Sequence, residues 1–452
     1  MPRWAVNKML EWLERHSIPI ILILWACFRI FAYGDPALSI AGNDTQTFVE
    51  ASRVPLFSAD MMTGRRLLTT NLIYKILEPE SGYQILVNGS LETSKRILQP
   101  GFDRIVILQL ILSIFGWSAL TWTAAAQLKS FSAKLLTALV IPAFAFAPQV
   151  ADWDSILMSE SLTFSLFALQ LSILIHVVFT LRRDPKTKVA AWMITWGVVY
   201  FLWANLRDTN NYATLVLFGL AALTLFLPKY RKHKALIGAM IFAAVSFSLG
   251  ILTFQASGRA LISTINLYVS DIFPFPARVE YMQGLGMPAP QTPGFNDWFQ
   301  EYGLSSVTKF ILSHPGYAIE KIARDFPEAF KEIQQTYFNV PSGDKLFRSR
   351  LVAFGETFHP ETSTPFSMSL LTLLGIFLLA ASRRTETAAP WAWIGAYLFL
   401  AASIAIIPTI LGDTWAINRH SLFSTTFYRL SMWLFPLVLL DIALFREPAP
   451  AS

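Results

Sequence analysis

The sequence predicts an all-α polytopic membrane protein of about ten transmembrane helices, with two long extracytoplasmic loops carrying interfacial helices. Three observations predict it. The 452 residues are 54% hydrophobic and only 15% charged. Apolar runs long enough to cross a hydrocarbon core of about 30 Å recur from end to end. Those runs are continuously apolar and rich in Leu, Ala, Ile and Phe, whereas a closed barrel needs short segments of alternating polarity. No long stretch has the composition of an independent soluble domain, so residues 1–452 read as a single membrane domain.

Residues 1–16 mix Trp4, Glu11, Glu14 and several bases in an amphipathic pattern, with no small-residue cleavage site after the apolar run. They read as an interfacial helix that stays attached rather than a cleavable signal. Spans are expected at 18–33, 105–128, 133–146, 156–181, 189–206, 212–227, 235–254, 366–381, 391–410 and 425–445. Six basic groups fall in alternate connections: Arg3, Lys8 and Arg15; Lys129 and Lys134; Arg182, Arg183, Lys186 and Lys188; Lys229, Arg231, Lys232 and Lys234; Arg383 and Arg384; and Arg446. The positive-inside rule puts all six, and with them both termini, in the cytoplasm. Insertion topology thus accounts for the basic residues of the short connections within the net charge of +6, and nucleic acid is not expected as a partner.

The opposite face receives a first extracytoplasmic loop, 34–103, a large one, 256–365, and short turns at 149–155, 207–211 and 411–421. Within the first loop, 65–77 has apolar residues at helical spacing with basic and polar residues between them, the pattern of a helix lying in the interface. The large loop opens on Pro274, Pro276, Pro288, Pro290 and Pro293 and then predicts a helix over 315–335 with Pro315 in its first turn. It is read as a lid or as a packed cap. No internal repeat is visible, which counts against transporter folds built from repeated halves.

Four outer segments carry candidate chemistry. Asp44, in Gly42-Asn43-Asp44-Thr45, is either the cap of a helix starting at Thr45 or a base that accepts a proton from a hydroxyl. Asp152 and Asp154 precede Glu160. An ionisable group at membrane depth costs at least ~2.5 kcal/mol, so Glu160 is expected to face a polar cavity, while the two aspartates also suit a helix start whatever the function. Arg207, next to Asp208, is an outer-face arginine that breaks the positive-inside tendency. It suits a phosphate or an internal pair with Asp208. Arg419 and His420 can hold and partly neutralise a leaving phosphate, or serve as an interfacial anchor and a satisfied polar residue. Arg29, near the outer end of the first span, is explained by snorkelling.

The single cysteine, Cys27, leaves no disulfide framework or cysteine metal site, and redox chemistry is not indicated. The six histidines show no metal-ligand spacing, so no metal ligands and no cofactor are expected, with oxygen ligation of a divalent ion by isolated acids left open. There is no Gly-rich phosphate loop, so a nucleotide is not the expected direct substrate.

Taken together, Asn43-Asp44-Thr45 with Phe48 and Ala51, the acids from Asp152 to Glu160, Arg207-Asp208-Thr209-Asn210, and Arg419-His420 before the last span resemble the integral-membrane glycosyltransferases of the GT-C superfold. The resemblance implies a sugar carried on a polyprenyl phosphate and an unknown acceptor, joined in one inverting step outside the cytoplasm, in a bacterial inner or plasma membrane. It implies Asp44 as catalytic base and Arg207, Arg419 and His420 as phosphate contacts. Asp152, Asp154, Glu160 and Asp208 complete the expected substrate-binding set. Family members commonly place a second acid beside the first; here Asn43 and Thr45 flank Asp44, which puts metal assistance in doubt. The alternative is a non-catalytic lipid or polysaccharide transporter or flippase, which would show ionisable residues near mid-bilayer and broken helices.

Overall fold

A computed structural model describes residues 3–89, 96–290, 292–331, 345–382 and 386–444. The basic residues Arg383, Arg384 and Arg446, residue 445 of the last expected span, and 332–335 of the helix expected over 315–335 lie outside the described residues.

The chain begins with α1 (Arg3–Tyr33). The first loop carries α2 (Thr45–Ser52), the one-turn α3 (Asp60–Thr63) and α4 (Leu68–Leu77). Next come α5 (Asp103–Ala126), α6 (Phe131–Phe146), the single turn α7 (Pro148–Ala151) and a 3-10 turn at Asp152–Ser155. They are followed by α8 (Glu160–Arg183), α9 (Ala190–Ala204), α10 (Tyr212–Leu225) and α11 (Lys234–Ser257). The large loop folds into α12 (Ala260–Leu267), α13 (Pro276–Gly284), α14 (Pro293–Trp298), α15 (Leu304–Ser313), α16 (Pro315–Asp325) and α17 (Lys345–Phe358). The chain finishes with α18 (Thr364–Ala381), α19 (Ala388–Gly412), the short α20 (Ile417–His420) and α21 (Leu422–Leu444).

Every segment expected to span contains a helix, but they differ in reach. Among the described residues seven helices are long and apolar enough to cross a membrane: the His16–Tyr33 part of α1, and α5, α8, α11, α18, α19 and α21. α6 passes only together with Pro148–Ser155, across a bend of 56°. The bend has a local cause: Ala147 is extended, at φ −57° and ψ 141°, because the ring of Pro148 disfavours helical backbone in the residue before it. α9 and α10, at 15 and 14 residues, are shorter than the roughly 20 residues a hydrocarbon core requires.

α8 lies at the centre, with 83% of its most apolar stretch buried. α5 packs against it closely because Gly116 lacks a side chain; a Cβ there would sit 2.4 Å from the Ser165 carbonyl oxygen. The basic connections around Arg182, Arg183 and Lys229 meet at one end of the bundle, where Lys229 donates to the Arg182 carbonyl at 3.3 Å and Arg183 donates to Gln127 at 2.7 Å. The two long loops gather at the other.

The large loop has its own apolar core, built around Tyr268, Met282, Phe295, Phe299, Phe310 and Tyr317. Pro276, Pro293 and Pro315 each occupy the first turn of a helix, where a missing N–H costs nothing. α16 stops at Asp325, short of the expected residue 335, just before Pro327 interrupts the hydrogen-bond ladder. α4 is not free to lie flat on an interface all round: it buries Thr69, Thr70, Asn71 and Tyr74 against the protein.

Candidate functional site

The site starts from a seam between two loops. Ile40 N–H donates to the Ser155 carbonyl at 2.8 Å and Leu157 N–H donates to the Ile40 carbonyl at 2.9 Å. The Thr45 hydroxyl then donates to the Leu157 carbonyl at 3.1 Å and accepts from Gly42 N–H at 2.9 Å. This pairing carries Asp44 to the head of α8, where Glu160 is the first residue.

Asp44 does not cap α2 with its side chain. Its backbone is already helical, at φ −76° and ψ −21°, and its carboxylate makes no cap hydrogen bond. Instead Oδ1 meets Arg66 at 2.8 Å and Oδ2 accepts from Arg419 Nη2 at 2.7 Å. Arg66 is held for this role by the Thr47 hydroxyl at 2.6 Å and by the Phe48 ring, whose centroid is 4.2 Å from the guanidinium carbon. Arg419 Nε donates at 3.0 Å to Glu160 Oε1, which also accepts from Arg207 Nη1 at 3.2 Å. The result is a row of alternating charge: Arg66, Asp44, Arg419, Glu160, Arg207. Glu160 is 1% exposed and Asp44 is 34% exposed, so one end of the row is sealed in protein and the other faces solvent.

Burial pushes the Asp44 carboxyl up, but Arg66 and Arg419 override it and hold the group at about 2. Burial pulls the Arg66 and Arg207 guanidinium groups down. At Arg419 burial acts the same way, yet the carboxylates of Glu160 and Asp44 on either side raise it above its ordinary value.

This row lines a cavity of about 640 Å³. Arg65, Arg259, Asp208, Asp413 and His420 border the same space. Asp208 does not pair with its neighbour Arg207; it takes both Nε and Nη2 of Arg259, at 3.0 and 2.9 Å, while Arg259 Nη1 donates to the Gly64 carbonyl at 2.8 Å. His420 Nδ1 lies 2.7 Å from Asp413. The rest of the wall is largely apolar, with Phe247, Ile251 and Phe254 from α11, Ile262 from α12, and Leu304 and Ile311 from α15. The large loop therefore forms one side of the cavity.

The structure brings Asp44, Glu160, Arg207, Asp208, Arg419 and His420 to one cavity and leaves two expected residues out of it. Asp152 and Asp154, expected with the substrate-binding set, point into a separate buried cluster. Asp152 is ion-paired with Arg348, and Asp154 takes Arg29 at 2.8 Å and the Ser161 hydroxyl at 2.6 Å. Their location sets them apart from the other six: the 3-10 turn directs both carboxylates inward, where Arg348 and Arg29 pair with them. Arg29 does not snorkel either; it is buried, and also donates to the Ala151 carbonyl at 2.7 Å.

Sequence reasoning missed Arg66, Arg259 and Asp413 as site residues. Arg66 and Arg259 lie in the two long loops among many other Lys and Arg residues, so no signal in the sequence sets them apart. Among the described residues no group of three or more His, Cys, Asp or Glu is placed to hold a metal ion.

No family model matches the sequence, and no curated protein matches it. Among solved structures the chain is similar to the archaeal oligosaccharyltransferase AglB from Archaeoglobus fulgidus, in complex with an inhibitory peptide and a dolichol-phosphate. The identity is 11% and the TM-score 0.45, over 95% of this chain and 51% of that one. The chain thus spans about half the length of that protein, and a likeness so distant assigns no family.

Proposed function

We propose that the chain is a membrane glycosyltransferase that takes a sugar from a polyprenyl-phosphate donor and passes it to an extracytoplasmic acceptor by an inverting single displacement. The observation that carries this reading is the row Arg66, Asp44, Arg419, Glu160, Arg207 on the wall of one cavity. Guanidinium groups suit the two non-bridging oxygens that share the charge of a phosphate diester, and the apolar wall from α11, α12 and α15 suits a lipid chain beside them. The basic connections around Arg182, Arg183 and Lys229 meet at the other end of the bundle, and under the positive-inside rule this supports a cavity outside the cytoplasm.

In this reading the acceptor oxygen forms a bond to the sugar C1 as the C1–O bond to phosphate breaks. Its proton passes to Asp44, and the arginines stabilise the charge gathering on the phosphate. A carboxyl at about 2 is a weak base. It suffices here because the proton it takes belongs to an oxygen that becomes strongly acidic once bonding to C1 is well advanced. The same low value keeps Asp44 ionised at every pH near neutrality.

The test uses purified full-length protein in nanodiscs with a panel of polyprenyl-phosphate hexoses, measuring sugar transfer and release of polyprenyl phosphate. Asp44→Asn should abolish transfer while donor binding and the thermal midpoint stay near wild type. Full transfer by Asp44→Asn would remove Asp44 from the chemistry, and no donor binding by the wild type would remove the donor class.

A further inference from the structure

On another wall of the cavity, Asp413 and His420 are built more elaborately than a phosphate contact requires. Asp413 is buried. Its Oδ1 accepts from Thr414 N–H at 2.7 Å, from Trp415 N–H at 3.0 Å and from the Asn266 amide of α12 at 3.3 Å, and its Oδ2 faces His420 Nδ1 at 2.7 Å. An ionised carboxylate only accepts, so Nδ1 carries the hydrogen and Nε2 is the nitrogen left for the cavity. Among the described residues no hydrogen bond engages Nε2, on a side chain that is 36% exposed and lines the cavity.

The backbone that delivers this histidine is strained. Ala416 sits in the left-handed region, at φ 49° and ψ 40°, a conformation disfavoured for a residue with a Cβ. Its carbonyl accepts His420 N–H at 2.9 Å, so the strained residue sets the position of the ring. Simple charge neutralisation would be served by another arginine. A carboxylate fixed behind one imidazole nitrogen serves a group that moves a proton at the other.

We propose that His420, its Nδ1 held by Asp413, is the general acid of the transfer and gives an Nε2 proton to the departing phosphate. This rests on the glycosyl-transfer reading. The C1–O bond to phosphate breaks with its electron pair going to the phosphate oxygen, which takes the Nε2 proton. A lone pair of the acceptor oxygen forms the new C1–O bond, and the acceptor proton goes to Asp44. Water then returns a proton to His420 and receives one from Asp44, closing the cycle without a further reactant. His420 is the catalytic residue, and Asp413 is a positioning residue acting through it.

The charged groups around the ring are few. Arg419 adjoins it in sequence, with Glu160, Asp44 and Arg207 bound in the row beyond. The turn Glu328–Phe330 packs on α20, and there Glu328 is occupied by Lys331 at 2.6 Å. Arg259, just before α12, is occupied by Asp208, and Arg429 of α21 is directed at the carbonyls of Phe330 and Pro360. Asp413 is therefore the charge that bears most directly on His420.

Binding of farnesyl phosphate, a short polyprenyl phosphate, to the full-length protein in nanodiscs between about pH 5 and pH 9 tests this around the histidine range. Wild type should bind roughly tenfold or more tightly than His420→Gln at the acid end, as for a lost charge-assisted hydrogen bond, and the gap should close as pH rises. Asp413→Asn should move that closure to lower pH, because the imidazolium loses its carboxylate. In the transfer assay, kcat of the wild type should fall on an alkaline limb absent from His420→Gln, with KM for the donor little changed. A pH dependence identical in wild type and His420→Gln, or unmoved by Asp413→Asn, overturns the acid role while leaving the transferase reading intact. Wild type that binds no farnesyl phosphate at any pH overturns the donor reading instead. If His420→Gln does not fold, the shift in Asp413→Asn decides.

Discussion

Replacing Glu160 by Gln should cost far more stability than replacing Asp44 by Asn, although both remove one carboxylate from the same row. Glu160 is 1% exposed and is the acceptor for Arg207 at 3.2 Å and Arg419 at 3.0 Å. Removing its charge leaves Arg207, itself enclosed, without a counter-ion. Breaking a buried pair from one side costs about 3–5 kcal/mol. Asp44 is 34% exposed, and its partners Arg66 and Arg419 are 21% and 26% exposed, so water replaces much of what Asn cannot supply. Pairs of that exposure contribute about 0–1 kcal/mol. The double variant Glu160→Gln, Arg207→Gln removes the stranded charge and should recover at least about 1 kcal/mol of the loss. Unfolding in mixed detergent micelles, followed by tryptophan fluorescence, reads these differences, since Trp117, Trp153, Trp196, Trp203 and Trp391 are buried in the bundle. The reasoning is refuted if Glu160→Gln is as stable as wild type, or if Asp44→Asn costs as much as Glu160→Gln.

Three further outcomes are expected. Gly116→Ala would place a Cβ 2.4 Å from the Ser165 carbonyl oxygen, forcing α5 from α8, and should cost about 1–3 kcal/mol in the same unfolding assay; a neutral result would mean that the helices separate freely. Ala416→Gly relieves the left-handed backbone and should raise stability by about 1 kcal/mol, whereas a loss would show that the loop is not strained. The Asp44 carboxyl is lowered from 3.8 to about 2 in the folded protein, so its stabilising contribution is complete above the unfolded value and is lost as pH falls toward 2. The stability difference between wild type and Asp44→Asn should therefore be constant near neutrality and shrink below about pH 4, and a difference that grows on acidification would reverse the sign of this argument.

The helical bundle was legible because membrane insertion is governed by local quantities. Run length and apolarity pick out a helix without knowledge of its neighbours, and each of the expected spans contains one. Length was read less well. α9 and α10 are only 15 and 14 residues long, and α6 reaches spanning length only together with Pro148–Ser155, most of which reads from sequence as a turn. Asp44, Glu160, Arg207, Asp208, Arg419 and His420 were legible as charges on one face, for the same local reason.

Partnership was not legible. Asp44 meets Arg419 across 375 positions, and Asp152 meets Arg348 across 196, while Arg207 passes over the adjacent Asp208 to reach Glu160. The sequence by itself determined that this is a helical membrane protein with charged turns between its helices. Only the tertiary structure decided which charges form the cavity row and which, like Asp152 and Asp154, are neutralised elsewhere. The physical reason is that an ion pair depends on distance and burial, and neither is a function of separation along the chain.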